Sequence, residues 1–284
     1  MLKKTVPIPI ANVACKPFLK WVGGKTQLLP QLIARSPKQF ERYFEPFIGG
    51  GALFFRLQPQ PAFISDINPE LINCYKVVRD DVHSLIKDLS QHIYEKDYYY
   101  ALRNADRSAE FSQWPATQRA SRLLYLNKTC FNGLYRVNAA GQFNVPIGRY
   151  RNPKILDEKN LLACSQALRH TQIIQAEFTA IEQSVRKDDF VYFDPPYAPI
   201  SETSDFTSYT KQGFDSAMQE TLSQLCKTLD QQGVKFMVSN SNAPLVLDLY
   251  KEFNITFVEA SRTINSKSAK RGKIKEVLIT NYRR

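Results

Sequence analysis

No run of apolar residues in this chain approaches the length of a membrane span, which excludes a helical membrane protein. The start, MLKKTVPIPIANVAC, has two lysines and a short apolar stretch, but Pro7, Pro9 and Asn12 interrupt it too early for a signal-peptide core. Its five cysteines, Cys15, Cys74, Cys130, Cys164 and Cys226, are odd in number and contain no C-x-x-C pair. That argues against a zinc site or a redox dithiol and for reduced thiols in a cytoplasmic protein. Internal repeats and low-complexity tracts are also missing. Acidic residues are absent from the whole stretch 111–156.

What is present is positive charge. The net charge is +11 over 284 residues, which favours an anionic partner without by itself identifying nucleic acid. Arg119, Arg122, Lys128, Arg136, Arg149, Arg151 and Lys154 fill the acid-free stretch, and Arg262, Lys267, Lys270, Arg271 and Lys273 form a second basic run. A single charge run is usually a solvated face; two such runs read as phosphate contacts.

Strand-like runs occur at 42–47, 62–66, 171–176, 189–194, 234–240, 255–260 and 275–281. Helical patterns lie between several of them (GALFFRLQ, NPELINCYKVV, DSAMQETLSQLCKTLDQQG, APLVLDLYKEF), and this alternation predicts an α/β fold with a doubly wound, mostly parallel sheet. The last two strands are joined without a helix, so an antiparallel last strand is expected. The alternation breaks between residues 77 and 167, which read as helices followed by a hairpin, YRVNAAGQFNVPIGRY. The expected organisation is therefore 1–76 with 168–284 as one domain and 77–167 as a helical insert. Two long polar loops, 201–214 and 261–273, stand out as functional or disordered.

Four stretches carry chemistry. FLKWVGGKTQLL contains Gly-Gly-Lys-Thr, but a P-loop needs glycine where this chain has Leu19. FVYFD, ending at Asp194, is apolar and acidic as a magnesium-binding strand also is, so an NTPase stays open at this point. YFEPFIGGG turns an apolar strand into a helix through three glycines, where backbone must approach a ligand. Asp66 ends the next strand, fifteen residues after Gly51, where a doubly wound fold places an acceptor for ribose hydroxyls. In DPPY, Asp194 to Tyr197, Pro195 and Pro196 lock the turn. Asp194 and the Pro195 carbonyl can then face one amino group while Tyr197 offers a flat surface to a planar base.

KWVGGK, FEPFIGGG, SDINPEL and DPPY, in this order and with an insert before DPPY, closely resemble the Dam-type DNA adenine-N6 methyltransferases, most strongly those that modify GATC. The likeness runs from about Pro17 to the C-terminus. It implies a methyltransferase-like fold, S-adenosylmethionine as methyl donor, double-stranded DNA as partner and no metal. The restriction-modification members of the family imply a restriction endonuclease as functional companion. Trp21, Lys25, Asp66 and Asp194 would line the cofactor site together with Glu45, Phe47, Gly49 and Gly51 of the glycine turn. Lys25 would face the methionine carboxylate or a nearby charge.

Hydrogen bonds to Asp194 and the Pro195 carbonyl would raise the nucleophilicity of the adenine amine, whose lone pair is otherwise delocalised into the ring. The base would be flipped out and held on Tyr197. The stretch 130–150 resembles the family's GATC-reading hairpin. Arg136 would read a guanine edge, Leu134 and Pro146 would touch base methyls, and Phe131 with Asn132 would fill the gap beside the flipped base. Arg119, Lys128, Asn138, Arg149, Lys267, Lys270 and Arg271 complete the expected DNA contacts. The alternatives are a cytosine-N4 methyltransferase with the same clamp, a P-loop NTPase, and a DNA-binding protein with a degenerate cofactor site.

Overall fold

Phe190–Phe193 forms a strand in which all four side chains are buried, Phe190 and Tyr192 against one core and Val191 and Phe193 against another. Only a strand covered on both faces needs such a continuous apolar run. The computed structural model describes residues 6–7, 14–200, 214–261 and 273–283. Within them the strands are β1 (Val6–Pro7), β2 (Gln39–Phe40), β3 (Tyr43–Glu45), β4 (Ala62–Asp66), β5 (Thr171–Gln175), β6 (Phe190–Phe193), β7 (Lys235–Ser241), β8 (Asn254–Ser261) and β9 (Lys273–Thr280). Strands β3 to β9 form one sheet in the order β5-β4-β3-β6-β7-β9-β8. Its first five members are parallel, and β9 runs antiparallel to both β7 and β8. All seven expected strands are present, and the antiparallel last strand is as expected.

The helices are α1 (Leu29–Arg35), α2 (Ala52–Leu57), α3 (Pro69–Asp80), α4 (Val82–Leu89), α5 (Lys96–Asn104), α6 (Ala116–Thr129), α7 (Glu158–Leu168), α8 (Ser216–Gln231) and α9 (Pro244–Leu249). One face of the sheet is covered by α1, α2, α3, α4, α6 and α7, the other by α8 and α9. Helix α3 begins cleanly because Asn68 caps it, accepting from the Leu71 N–H at 3.0 Å, and Pro69 occupies the first turn where its missing N–H costs nothing. The same helix runs unbroken across residue 77, and α4, α6 and α7 share its core. The region 77–167 is thus built directly onto the sheet's helical layer.

A third, smaller core of Tyr99, Tyr125, Leu126, Cys130, Phe143 and Val145 joins α5 and α6 to the hairpin. The hairpin is held by antiparallel bridges at Cys130–Ile147 and Val137–Phe143. Its tip turns at Gly141, whose φ of +75° suits glycine, and Asn138 closes the turn by accepting from the Ala140 and Gln142 N–H groups. Helices α1, α5 and α7 have no counterpart among the sequence expectations. Among the described residues no helix is long and apolar enough to cross a membrane.

Candidate active site

Strands β3 and β6 are neighbours, but the chain continues from β3 toward β4 and from β6 toward β7, in opposite directions along the sheet. Such a switch point opens a crevice at the carboxyl ends of the strands, where α/β sheets bind ligands. Glu45 ends β3, Asp66 ends β4 and Asp194 follows β6, so three carboxyl groups meet at this edge.

The glycine turn packs closely there. Gly49 has φ +45°, and a Cβ on it would come within 2.9 Å of Trp21; Gly51 has φ +67°, and a Cβ on it would lie 2.7 Å from the Tyr75 hydroxyl. Glycine is required at both positions on backbone and steric grounds. The Gly49 N–H donates to Asp66 Oδ2 at 3.2 Å and the Asn68 N–H to Asp66 Oδ1 at 3.0 Å. Burial holds the Asp66 carboxyl above the usual carboxylate range, and these N–H donors oppose it. Ile67, beside it, is 65% exposed, an apolar surface next to a half-buried acceptor.

Glu45 accepts from the Tyr43 hydroxyl at 2.7 Å and is fully buried; burial, with Asp194 nearby, pushes its pKa up to about 8. The native state therefore keeps a proton that the unfolded chain releases near pH 4.5. Stability from this group is complete below that pH and is lost as pH rises toward 8. Glu45→Gln should remove this dependence. The wild-type advantage over the variant, measured by urea unfolding, is expected to fall from pH 5 to 8 and to level off above; parallel curves would contradict the assignment. Phe47 stacks on Phe178 at 5.3 Å and meets Phe214 edge-on at 5.6 Å.

Asp194 Oδ1 lies 2.7 Å from Lys25 Nζ. Burial raises the Asp194 pKa, and Lys25 pulls it back toward the ionised form. The Lys25 ammonium also donates to the Gly23 carbonyl and sits 4.6 Å from the centre of the Tyr197 ring. Helix α1 begins only at Leu29, so no helix N-terminus backs Gly-Gly-Lys-Thr and the phosphate-cradle reading has no support in the geometry.

The groups that hold the DPPY turn have almost no signature in the sequence. Tyr197 donates to Glu276 on β9 at 2.8 Å; Gln219 of α8 donates to the Pro196 carbonyl at 2.9 Å; Asn240 of β7 donates to Gln219 and accepts from the Ala198 N–H. The only hint was an acid inside the otherwise basic and apolar strand KIKEVLIT. The Pro195 carbonyl has no donor among the described residues.

On the hairpin, Phe131, Asn132, Arg136, Pro146 and Arg149 are exposed, while Leu134 and Asn138 are half-buried, as is Lys128 in the last turn of α6. Arg136 donates to Asn144 Oδ1 at 2.7 Å. Arg122, expected among the phosphate contacts, is instead a buried structural ion: it pairs with Asp106 at 2.9 Å and donates to the Leu102 and Arg103 carbonyls. Arg119 is paired with Glu70 and lies over the Phe111 ring. Acids from outside the acid-free stretch thus absorb part of its charge. Lys267, Lys270 and Arg271 lie outside the described residues, as do most of the loops 201–214 and 261–273.

The family model for D12 class N6 adenine-specific DNA methyltransferases matches residues 21–264. The chain is 49% identical to the type II methyltransferase M1.LlaDCHI of Lactococcus lactis subsp. cremoris, over 95% of this chain and 97% of that protein. It is 46% identical to the type II methyltransferase M.MjaIII of Methanocaldococcus jannaschii, over 94% and 99% of the two chains. A DNA adenine methylase of Haemophilus influenzae is 32% identical over 93% and 92%. With the match spanning the glycine turn, the DPPY turn and the hairpin alike, this chain belongs to the D12 class of N6 adenine-specific DNA methyltransferases.

Proposed function

We propose that the protein transfers the methyl group of S-adenosylmethionine to N6 of an adenine flipped out of double-stranded DNA, within the sequence GATC. The observation that carries this reading is the pair of acceptors at the β6 edge, the Asp194 carboxylate and the Pro195 carbonyl, each at a rigid proline-locked position. Two acceptors suit the two hydrogens of an exocyclic amine. Tyr197, steadied by Glu276, supplies the stacking surface for the base.

The residues at the crevice fit the cofactor. The glycine turn, fixed by Trp21 and Tyr75 against Gly49 and Gly51, borders the cofactor, Asp66 accepts from ribose hydroxyls, and exposed Ile67 covers an adenine ring. Trp21, Lys25, Glu45 and Phe47 complete the surroundings. When bound, the cofactor supplies a methyl group on a positively charged sulfur. The chain's own task is to aim the amine at it and to keep water out. Lys25 must share Asp194 with the incoming amine, and its ammonium opposes the upward pull of burial on that carboxylate.

Residues 77–167 form the target-recognition insert on a catalytic domain of 1–76 and 168–284. There Arg136 reads a guanine edge, Leu134 and Pro146 touch base methyls, Phe131 and Asn132 fill the vacated stack, and Lys128, Asn138 and Arg149 face the backbone. The type II naming of the two relatives with the highest identity quoted above supports pairing with a restriction endonuclease.

Incubation of unmethylated DNA with protein and cofactor, followed by nucleoside analysis, is expected to yield N6-methyldeoxyadenosine as the only modified nucleoside. N4-methylcytosine would move the clamp to the other base. Asp66→Asn should weaken cofactor binding by about 1 kcal/mol, the difference between a charged and a neutral acceptor. Unchanged affinity in calorimetry would remove Asp66 from the site.

A further inference from the structure

Tyr135 lies between two residues of the recognition hairpin, Leu134 and Arg136, yet its ring turns into the molecule. It stacks on Trp21, with ring centres 5.0 Å apart and planes 23° from parallel, and meets Phe143 of the same hairpin edge-on at 5.9 Å. Trp21 is in turn wedged against Gly49, whose N–H donates to Asp66 Oδ2. The Tyr135 hydroxyl faces the Asn68 side chain, and the Asn68 N–H donates to Asp66 Oδ1. Two separate routes therefore run from one hairpin side chain to the two oxygens of one carboxylate at the crevice.

The ring packs on the rim of two apolar clusters, and through Trp21 and Asn68 it also connects to the glycine turn and the N-cap of α3, the two elements that shape the cofactor end of the crevice. On the hairpin side its placement is equally constrained. Arg136, the next residue, is tied to Asn144 by a side-chain bond of 2.7 Å and a backbone bond of 3.0 Å, and the Phe143 N–H donates to Asp106 at 2.7 Å. A small shift of Gly49, Asp66 or Asn68 on ligand binding would move Tyr135, and with it the neighbouring guanidinium.

We propose that Tyr135 is a positioning residue that couples cofactor occupancy to base reading by Arg136, a role that rests on the function proposed above. Occupancy of the crevice and correct reading of the site favour one and the same placement of the Tyr135 ring. Such coupling is reciprocal: cofactor tightens specific DNA by the factor with which specific DNA tightens cofactor. Contiguity alone does not establish coupling, so the coupling factor itself has to be measured.

The test uses the full-length protein with S-adenosylhomocysteine as a non-transferring probe and short duplexes carrying GATC or a single-base variant of it. For the wild type, the probe is expected to tighten the GATC duplex roughly fivefold or more, in the range usual for coupled sites, and to leave the variant duplex little changed. Tyr135→Ala should bring the factor at GATC to about one, whereas Tyr135→Phe, which keeps the stack and loses only the contact with Asn68, should fall between. A purely structural Tyr135 would lower the melting temperature of both variants and leave the factor intact. An unchanged factor in Tyr135→Ala, or in Tyr135→Phe if the alanine variant does not fold, with GATC methylation present, overturns the proposal alone. A wild type that binds neither ligand overturns the proposed function and this inference together.

Discussion

Asp194→Ala is expected to lower the methylation rate by roughly three orders of magnitude or more while duplex affinity stays within a few fold. The carboxylate supplies both aim and charge stabilisation for the amine as it becomes positive in the transition state, and neither can be replaced by the Pro195 carbonyl alone. The loss should appear in kcat, because the interaction strengthens as the new bond forms. Duplex binding survives because the exposed residues that would face DNA sit on the hairpin. The variant also strips Lys25 of its partner 2.7 Å away, leaving a buried ammonium beside Tyr197. Asp194→Asn separates the two effects, since it keeps the shape and one acceptor. Single-turnover rates within tenfold of wild type in Asp194→Ala would remove Asp194 from the chemistry.

Arg136→Ala should cost about 1–3 kcal/mol of discrimination at one base pair of the site, a loss of roughly 5- to 150-fold in relative rate between the correct base and its replacements. Preference at the remaining positions should persist. Arg136 is exposed and already oriented by Asn144, which lowers the entropy cost of presenting its fork to the O6 and N7 acceptors of guanine. A phosphate-binding Arg136 behaves differently: activity falls evenly across sequences and the salt dependence flattens. Rates on GATC and its single-base variants at two salt concentrations distinguish these outcomes.

The sheet was legible because its strands are short apolar runs bounded by turn signals, and because the helices between them leave few other topologies. Asp66, Asp194 and the glycine turn could be placed at the carboxyl edge for the same reason: a strand-end acid or glycine in a parallel sheet has only one edge to face. Glu276, Gln219 and Asn240 were not legible, because they reach the DPPY turn across the sheet and from α8, at separations of 79, 23 and 42 residues from their partners. Arg122 was misread for a related reason. The stretch 111–156 has no acid of its own, but folding brings Asp106 to it from the turn after α5 and Glu70 from α3 to Arg119. Charge counted along a chain does not reveal which cations are already paired. The roles of Tyr135 and Trp21 were hidden too, since a stacked pair 114 residues apart leaves no periodic trace.

Single-base mapping decides whether the methyl group goes to adenine N6 within GATC, as proposed above. Unmethylated genomic DNA would be incubated with the purified protein and S-adenosylmethionine, and every modified position read. N6-methyladenine is expected at the adenine of GATC on both strands, and none when Asp194→Ala replaces the wild type. Modified cytosine, or modified adenine spread over sequences unrelated to GATC, would contradict it.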